Sequence, residues 1–177
     1  MNKTIQFQIS NACKNVCFKP TIVSKIHCID FEFDHDYDLI GIHSVLADYR
    51  MAYFLNNYLS IQLRRFKNDL DFEFRNCSFP LYKFEDETAY TSWSLIANKH
   101  VFTENVTEGD SNLFLEETKI SYLIPEKKKV DYFIKITGLK DDVELSTTLL
   151  NINKINNIMA SYAIDPMDLK SRDNLIF

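Results

Sequence analysis

The chain has 177 residues, a size that allows one domain to bury roughly 70% of its unfolded surface. Its net charge of -5 disfavours nucleic acid as a partner, because nucleic-acid binders usually present a basic face that neutralises the phosphates. The three glycines, Gly41, Gly109 and Gly138, lie far apart, which excludes a P-loop or a GxGxxG nucleotide-binding motif.

No apolar run approaches the roughly 20 residues that a membrane-spanning helix needs, and the N-terminal sequence lacks the apolar segment of a signal peptide. We therefore expect a cytoplasmic protein with no membrane partner. Its cysteines are then expected to be reduced thiols. We expect residues 1–24 to form a separate N-terminal extension, residues 25–164 a single domain, and residues 165–177 a C-terminal tail.

The first predicted elements of the domain are a strand near residues 39–45 and a helix near residues 46–59. Wound at about 100° per residue, the helix places five apolar residues on one stripe, which we predict to be buried. These are Ala47, Met51, Phe54, Leu55 and Tyr58. The opposite side, which we predict to face outward, carries Tyr49, Arg50, Tyr53, Asn56 and Asn57.

Alternating apolar and polar residues then predict a series of strands. Residues 61–67 and 70–74 are predicted to pair across a tight turn at Asn68 and Asp69. Further strands are predicted at residues 79–84, 91–101, 115–124 and 130–137, the last two forming a hairpin. A second helix is predicted over residues 142–160, with Asp141 and Glu144 as a capping box.

This order of elements predicts an α+β fold. We expect an antiparallel meander sheet of about six to seven strands, because short loops join successive strands and parallel pairs need long crossovers. An early helix and a long C-terminal helix are expected to pack on it. The same order resembles helix-grip folds, in which a curved sheet wraps a long C-terminal helix around a cavity.

The segment between the two hairpin strands reads Ile124-Pro125-Glu126-Lys127-Lys128-Lys129-Val130-Asp131-Tyr132. We predict that it is the turn of the hairpin, because proline has a fixed φ and lacks an N–H. The segment resembles the signature of the IPExxxVDY family of uncharacterised bacterial proteins, with all six named positions present. Residues 48–56 resemble that family's DYRLAYxLN pattern, with Met51 in place of leucine. The resemblance covers roughly residues 26–140 and implies no activity.

Glu126 and Asp131 bracket this turn, so their side chains could approach each other across its mouth. Paired carboxylates act as acid and base when burial separates their pKa values. The three intervening lysines favour simple charge pairing on a solvated turn, and Glu126 could instead fix the turn by accepting backbone N–H groups. Structural support, partner binding and catalysis all remain open for this pair.

Metal and cofactor motifs are incomplete. Asp34, Asp36 and Asp38 match the opening of an EF-hand, but Leu39 and Val45 stand where glycine and the closing glutamate are required. Cys13 and Cys17 have no second ligand pair at zinc-finger spacing, and no nucleophile motif is present. We expect no cofactor, no metal and no catalytic residue.

Tyrosine and arginine are enriched at protein interfaces, and Tyr49, Arg50, Tyr53 and Asn56 lie together on the outward side of the first helix. We therefore predict a non-enzymatic interaction protein with an unknown protein partner. The docking surface would be this helix or the turn at Glu126. The other interpretation of the helix is that another part of the chain covers it. Alternative functions are a small-molecule binder with an apolar cavity between the sheet and the C-terminal helix, and an enzyme using Glu126 and Asp131.

Overall fold

A computed structural model describes residues 37–72, 77–105 and 116–177. The predictions made for residues 1–24, for Asp34 and Asp36, and for the pair Cys13 and Cys17 lie outside the described residues.

The centre of the fold is a six-stranded sheet in which every neighbouring pair of strands is antiparallel. From one edge to the other its strands are β10 (Ile158–Ile164), β1 (Asp38–Ser44), β9 (Tyr132–Thr137), β6 (Thr91–Ala97), β5 (Leu81–Asp86) and β2 (Arg64–Arg65). The α+β class and the antiparallel sheet are confirmed. The predicted meander is wrong, because β1, the first of these strands in the chain, lies between β9 and β10, which are the last two.

Two helices cover one face of this sheet. They are α1 (Asp48–Leu59) and α2 (Asp142–Asn153), which pack on the inward side chains of the central strands, among them Ile40, Leu95 and Ile134. Each helix has 12 residues. The apolar side chains between the helices and the sheet form one continuous core.

The predicted second helix is too long by about two turns. It ends at Asn153, and residues 158–164 form the edge strand β10. The chain turns between them at Asn157, whose φ of 74° lies in the left-handed region that asparagine tolerates better than most residues. Met159, which the predicted helix would have included, is exposed on β10. The long C-terminal helix, and with it the helix-grip arrangement, is not confirmed.

The opposite face of the sheet is partly covered by two small two-stranded sheets. One joins β3 (Leu70–Phe72) with β4 (Cys77–Phe79), and the other joins β7 (Lys99–Asn105) with β8 (Glu116–Tyr122). Both predicted hairpins are therefore wrong. The partner of β8 is β7 and not β9, and the two residues of β2 pair with β5 instead of with β3.

The segment after β10, expected to be a tail, contributes to the core on this second face. It contains two short 3-10 helices, Pro166–Asp168 and Arg172–Leu175. Leu169 and Leu175 are buried in one cluster with Phe133 of β9, whose side chain lies on this second face of the sheet. Residues 165–177 are thus part of the packed structure.

Candidate functional site

Residues 124–132, here called the signature segment, form a turn with buried ends and an exposed middle. It is organised around Asn98, the residue between β6 and β7. Asn98 is fully buried, and its Nδ2 donates to the carbonyl oxygens of Lys127 (2.9 Å) and Val130 (2.8 Å). Its Oδ1 accepts from the backbone N–H of Ile124 (2.9 Å). One amide side chain therefore satisfies three backbone groups at both ends of the turn. Sequence reasoning missed this role, because residues 91–101 were predicted to form one continuous strand, whereas the structure divides them at Asn98 into β6 and β7.

The side chains of the signature segment explain much of its pattern. Ile124 and Val130 are fully buried, and Tyr132 is buried on the helix side of the sheet, where its hydroxyl donates to the Leu46 carbonyl at 2.5 Å. Pro125 starts a 3-10 helix (Pro125–Lys127), a position where its missing N–H costs nothing. The segment joins β8 to β9, which belong to different sheets. It is a connection between sheets and not the turn of a hairpin.

Asp131 ties the end of β1 to the start of β7. Its Oδ2 accepts from the backbone N–H of Ser44 at 3.0 Å, and its Oδ1 lies 2.5 Å from Nζ of Lys99. The Nδ1 atom of His43 lies 3.9 Å from Oδ2. The backbone of Asp131 also donates to the Ile42 carbonyl at 2.9 Å. Each oxygen of the carboxylate therefore has a partner within the fold.

Glu126 binds the C-terminal segment. Its Oε1 accepts from the backbone N–H of Ser171 at 2.9 Å and from its hydroxyl at 3.1 Å. Slight burial raises the pKa of Glu126, but hydrogen bonds from its own backbone N–H, from the Ser171 side chain and from the N–H groups of Ser171 and Lys170 outweigh it, and the pKa is lowered. Glu126 and Asp131 thus bind different elements and share no partner among the described residues.

Two polar residues of α1 hold the helix in place. Oδ2 of Asp48 accepts from the Tyr82 hydroxyl and from Nη1 of Arg65, both at 3.2 Å. At the other end, the Asn56 side chain forms two hydrogen bonds with the Leu63 backbone, accepting from its N–H at 2.7 Å and donating to its carbonyl at 3.1 Å. Asn56 was predicted to face outward for binding. Its side chain is instead half-buried and bound to the following loop.

Tyr49, Arg50 and Tyr53 form an exposed surface on α1, here called the tyrosine face. Tyr49 and Tyr53 are 65% and 63% exposed, and Arg50 is exposed beside them. Two residues four apart lie one above the other on a helix, so the two rings form one patch. The described residues do not bury this patch.

The buried side of α1 is narrower than its periodicity predicts. Met51, Ala52 and Leu55 are buried and Phe54 is partly buried, whereas Ala47 and Tyr58 are exposed. The prediction was wrong for Ala47, because α1 begins at Asp48 and Ala47 is the residue that precedes it.

Two clefts lie near these elements. A groove of about 330 Å³ runs between the start of β6 and α2, and Trp93, Leu139 and Val143 line it. A second cleft of about 310 Å³ lies over the signature turn between Pro125, Lys128 and Tyr162.

In residues 37–72, 77–105 and 116–177, no three histidine, cysteine, aspartate or glutamate side chains are grouped so that they could hold a metal ion. Within the same ranges, no helix combines the length and apolar character needed to span a membrane. No protein-family model matches the chain, and a search of curated proteins finds no similar sequence.

Proposed function

We propose that this chain is a non-enzymatic interaction protein that binds a protein partner through the tyrosine face of α1. The observation that carries the proposal is the exposure of two tyrosines and an arginine on one rigid helix. Exposed aromatic rings lose little conformational entropy on binding, which is why tyrosine is common at interface centres.

The residues around the tyrosine face support this role, because they preorganise it. Asp48 and Asn56 anchor the two ends of α1, so the helix does not have to order itself when a partner arrives. Preorganisation of this kind lowers the entropic cost of association. Asp48 is already bound to Arg65, so Arg50 is the charged group that the face offers. A complementary partner would present a carboxylate flanked by apolar side chains.

A photo-crosslinking experiment tests the proposal. Tyr53 is replaced by a benzoyl-phenylalanine in the protein expressed in its own cells, and Tyr90, which is 88% exposed on the turn between β5 and β6, is replaced in the matched control. We expect a defined crosslinked partner at position 53 that is absent at position 90. Crosslinks that are the same at both positions would contradict a specific face.

The double variant Arg50→Ser with Tyr53→Ser separates binding from stability. We expect it to lose the crosslinked partner in co-purification while its thermal midpoint stays within about 2 °C of wild type, because exposed substitutions usually change stability by less than ~0.5 kcal/mol. A variant that unfolds would show that the face belongs to the packing of the protein. Val101→Ser, at an exposed position on β7, is the matched control.

A small-molecule binder is the second candidate, and the groove between β6 and α2 favours it. Its volume of about 330 Å³ lies at the lower end of ligand pockets, and it contains the chain's only tryptophan, Trp93. Native mass spectrometry of protein purified from its own cells should then show a bound molecule. The variant Thr147→Phe, which fills the groove, should lose it. Protein that carries no bound mass would count against this candidate.

An enzyme using Glu126 and Asp131 has the least support. Each carboxylate is engaged by its own partners, Glu126 by Ser171 and Asp131 by Ser44 and Lys99.

A further inference from the structure

Three basic side chains lie in one cross-strand row of the six-stranded sheet. Arg64 pairs with Lys83, Lys83 with Ser94, and Ser94 with Lys135. Residues directly opposite each other in antiparallel strands point to the same face of the sheet. Because their neighbours Tyr82, Trp93 and Ile134 belong to the helix-side core, this row lies on the face away from the helices.

Aromatic rings surround the two lysines. The Nζ atom of Lys83 lies 4.8 Å from the ring centre of Phe66 and 5.3 Å from that of Phe177. The Nζ atom of Lys135 lies 4.8 Å from the same Phe177 ring and 4.6 Å from the ring of Tyr37. Both ammonium groups therefore approach a single ring, over a serine that is itself buried. The rings attract the cations but cannot neutralise their charge.

These lysines have no acidic partner within the described ranges. The ion pairs found there involve Asp48, Asp69 and Asp131, and none of them includes Lys83 or Lys135. Lys135 donates a hydrogen bond to the Leu175 carbonyl at 2.7 Å. This carbonyl is neutral, so it does not balance the positive charge of the ammonium group. Burial, and then the neighbouring charge of Lys83, lower the pKa of Lys135. Two half-buried like charges side by side repel each other, and a bound anion would relieve this repulsion.

We propose that Arg64, Lys83 and Lys135 form a binding site for a compact phosphate group, with the Ser94 hydroxyl as an additional donor. A cleft of about 290 Å³ opens to solvent beside the first two cations of the row, and it is lined by Gln62, Arg64, Lys83, Phe84 and Glu85. Three cations in one row favour a dianion over a single carboxylate, because the attraction grows with the product of the charges. The Phe177 ring forms an apolar wall beside the phosphate. The phosphate belongs to a soluble small molecule or to a lipid headgroup.

Thermal melts with inorganic phosphate test the site. Ionic strength is held constant with sodium chloride, and wild type is compared with Lys83→Met and with Lys129→Met, which removes an exposed lysine of the signature turn. We expect phosphate to raise the midpoint saturably, by about 2–4 °C at several times its dissociation constant, in wild type and in Lys129→Met. The rise should disappear in Lys83→Met. A rise no larger than in chloride alone, or an equal rise in Lys83→Met, would overturn the proposal.

Amine labelling of the unmodified protein gives a second measurement that does not depend on a variant folding. Phosphate should slow the acetylation of Lys135 several-fold, because it shields the amine and favours its protonated form, while Lys129 should react at an unchanged rate. An unchanged rate at Lys135 would overturn the proposal.

Phosphatidic-acid vesicles present the same group on a surface. Flotation of wild type but not of Lys83→Met, in addition to the response to free phosphate, would assign the site to lipid headgroups. A response to free phosphate without flotation would assign it to a soluble molecule. The absence of both responses would overturn the proposal.

Discussion

Replacing Asn98 with alanine should be among the most damaging single changes in the described protein. The substitution removes the side chain that satisfies the carbonyls of Lys127 and Val130 and the N–H of Ile124. Two of these three hydrogen bonds are buried and the third is partly buried, so water cannot easily replace the lost partner. Each unsatisfied buried backbone group costs ~1–3 kcal/mol.

Summed over the three groups, and allowing for some relaxation of the turn, the free energy of unfolding should fall by ~3–6 kcal/mol. That is a large part of the ~5–15 kcal/mol that stabilises a typical domain. The thermal midpoint should fall by at least ~6 °C, since ~1 kcal/mol shifts it by ~2–4 °C in a protein of this size.

Urea denaturation followed by circular dichroism measures the change. Asn57→Ala, at an exposed position on α1, serves as the control and should change the free energy of unfolding by less than ~0.5 kcal/mol. A loss below ~1 kcal/mol in Asn98→Ala would refute the idea that this amide holds the turn together.

Asn98→Asp sharpens the test, because aspartate keeps the acceptor for Ile124 but presents a negative charge to the two carbonyls. The folded state should raise the pKa of this introduced carboxyl, since only its protonated form can donate to a carbonyl. Its destabilisation should therefore be smaller in acid and should grow as the pH rises through the ordinary range of aspartate pKa values. A destabilisation independent of pH would contradict the hydrogen-bond assignment.

Three further changes test other parts of the fold. Gly138 has a φ of 85°, and a Cβ there would collide with the Tyr90 backbone carbonyl, so Gly138→Ala should lower the free energy of unfolding by ~1–3 kcal/mol in urea denaturation. The pKa of Glu126 is lowered in the fold, so its bonds to Ser171 should stabilise the protein above the ordinary value of 4.5 and be lost as the pH falls below it. The Ser171 amide signal in NMR should follow that loss, and Glu126→Gln should remove the pH dependence. Burial, and then the nearby groups Asp48, Asp131 and Tyr82, raise the pKa of Tyr132 to about 12, so Tyr132→Phe should reduce the late absorbance change of a tyrosine titration by one tyrosine.

Local sequence patterns were sufficient for α1 and β1, because each is defined by residues that are close in the chain. The 3.6-residue period placed Met51 and Leu55 on the buried side and Tyr49 and Tyr53 outside, as the structure has them. The same method failed for β10. The helical spacing of α2 continues as far as Met159, and a polar residue in that apolar stripe, Asn156, is the sequence sign of the reversal at Asn157.

Strand pairing and side-chain partners were beyond the reach of local patterns. Glu126 and Asp131 are near each other in the chain, yet Glu126 bonds to Ser171, 45 residues away, and Asp131 bonds to Ser44, 87 residues away. The same holds for Asn98, whose partners lie 26 to 32 residues along the chain. Such contacts are set by how the whole sheet assembles, so a single sequence read in short windows cannot supply them.

The position of β1 between β9 and β10 governs when the protein can fold during synthesis. Leu39 pairs with Ile164 on one side and with Lys135 on the other. β1 therefore cannot complete its pairing until β9 and β10 have left the ribosome. Until residues 158–164 emerge, one side of β1 offers unpaired backbone groups to other nascent chains. Folding of this sheet is therefore expected to be completed only after residues 158–164 have left the ribosome. A ribosome stalled before β10 should hold a chain that chaperones protect and proteases cleave readily.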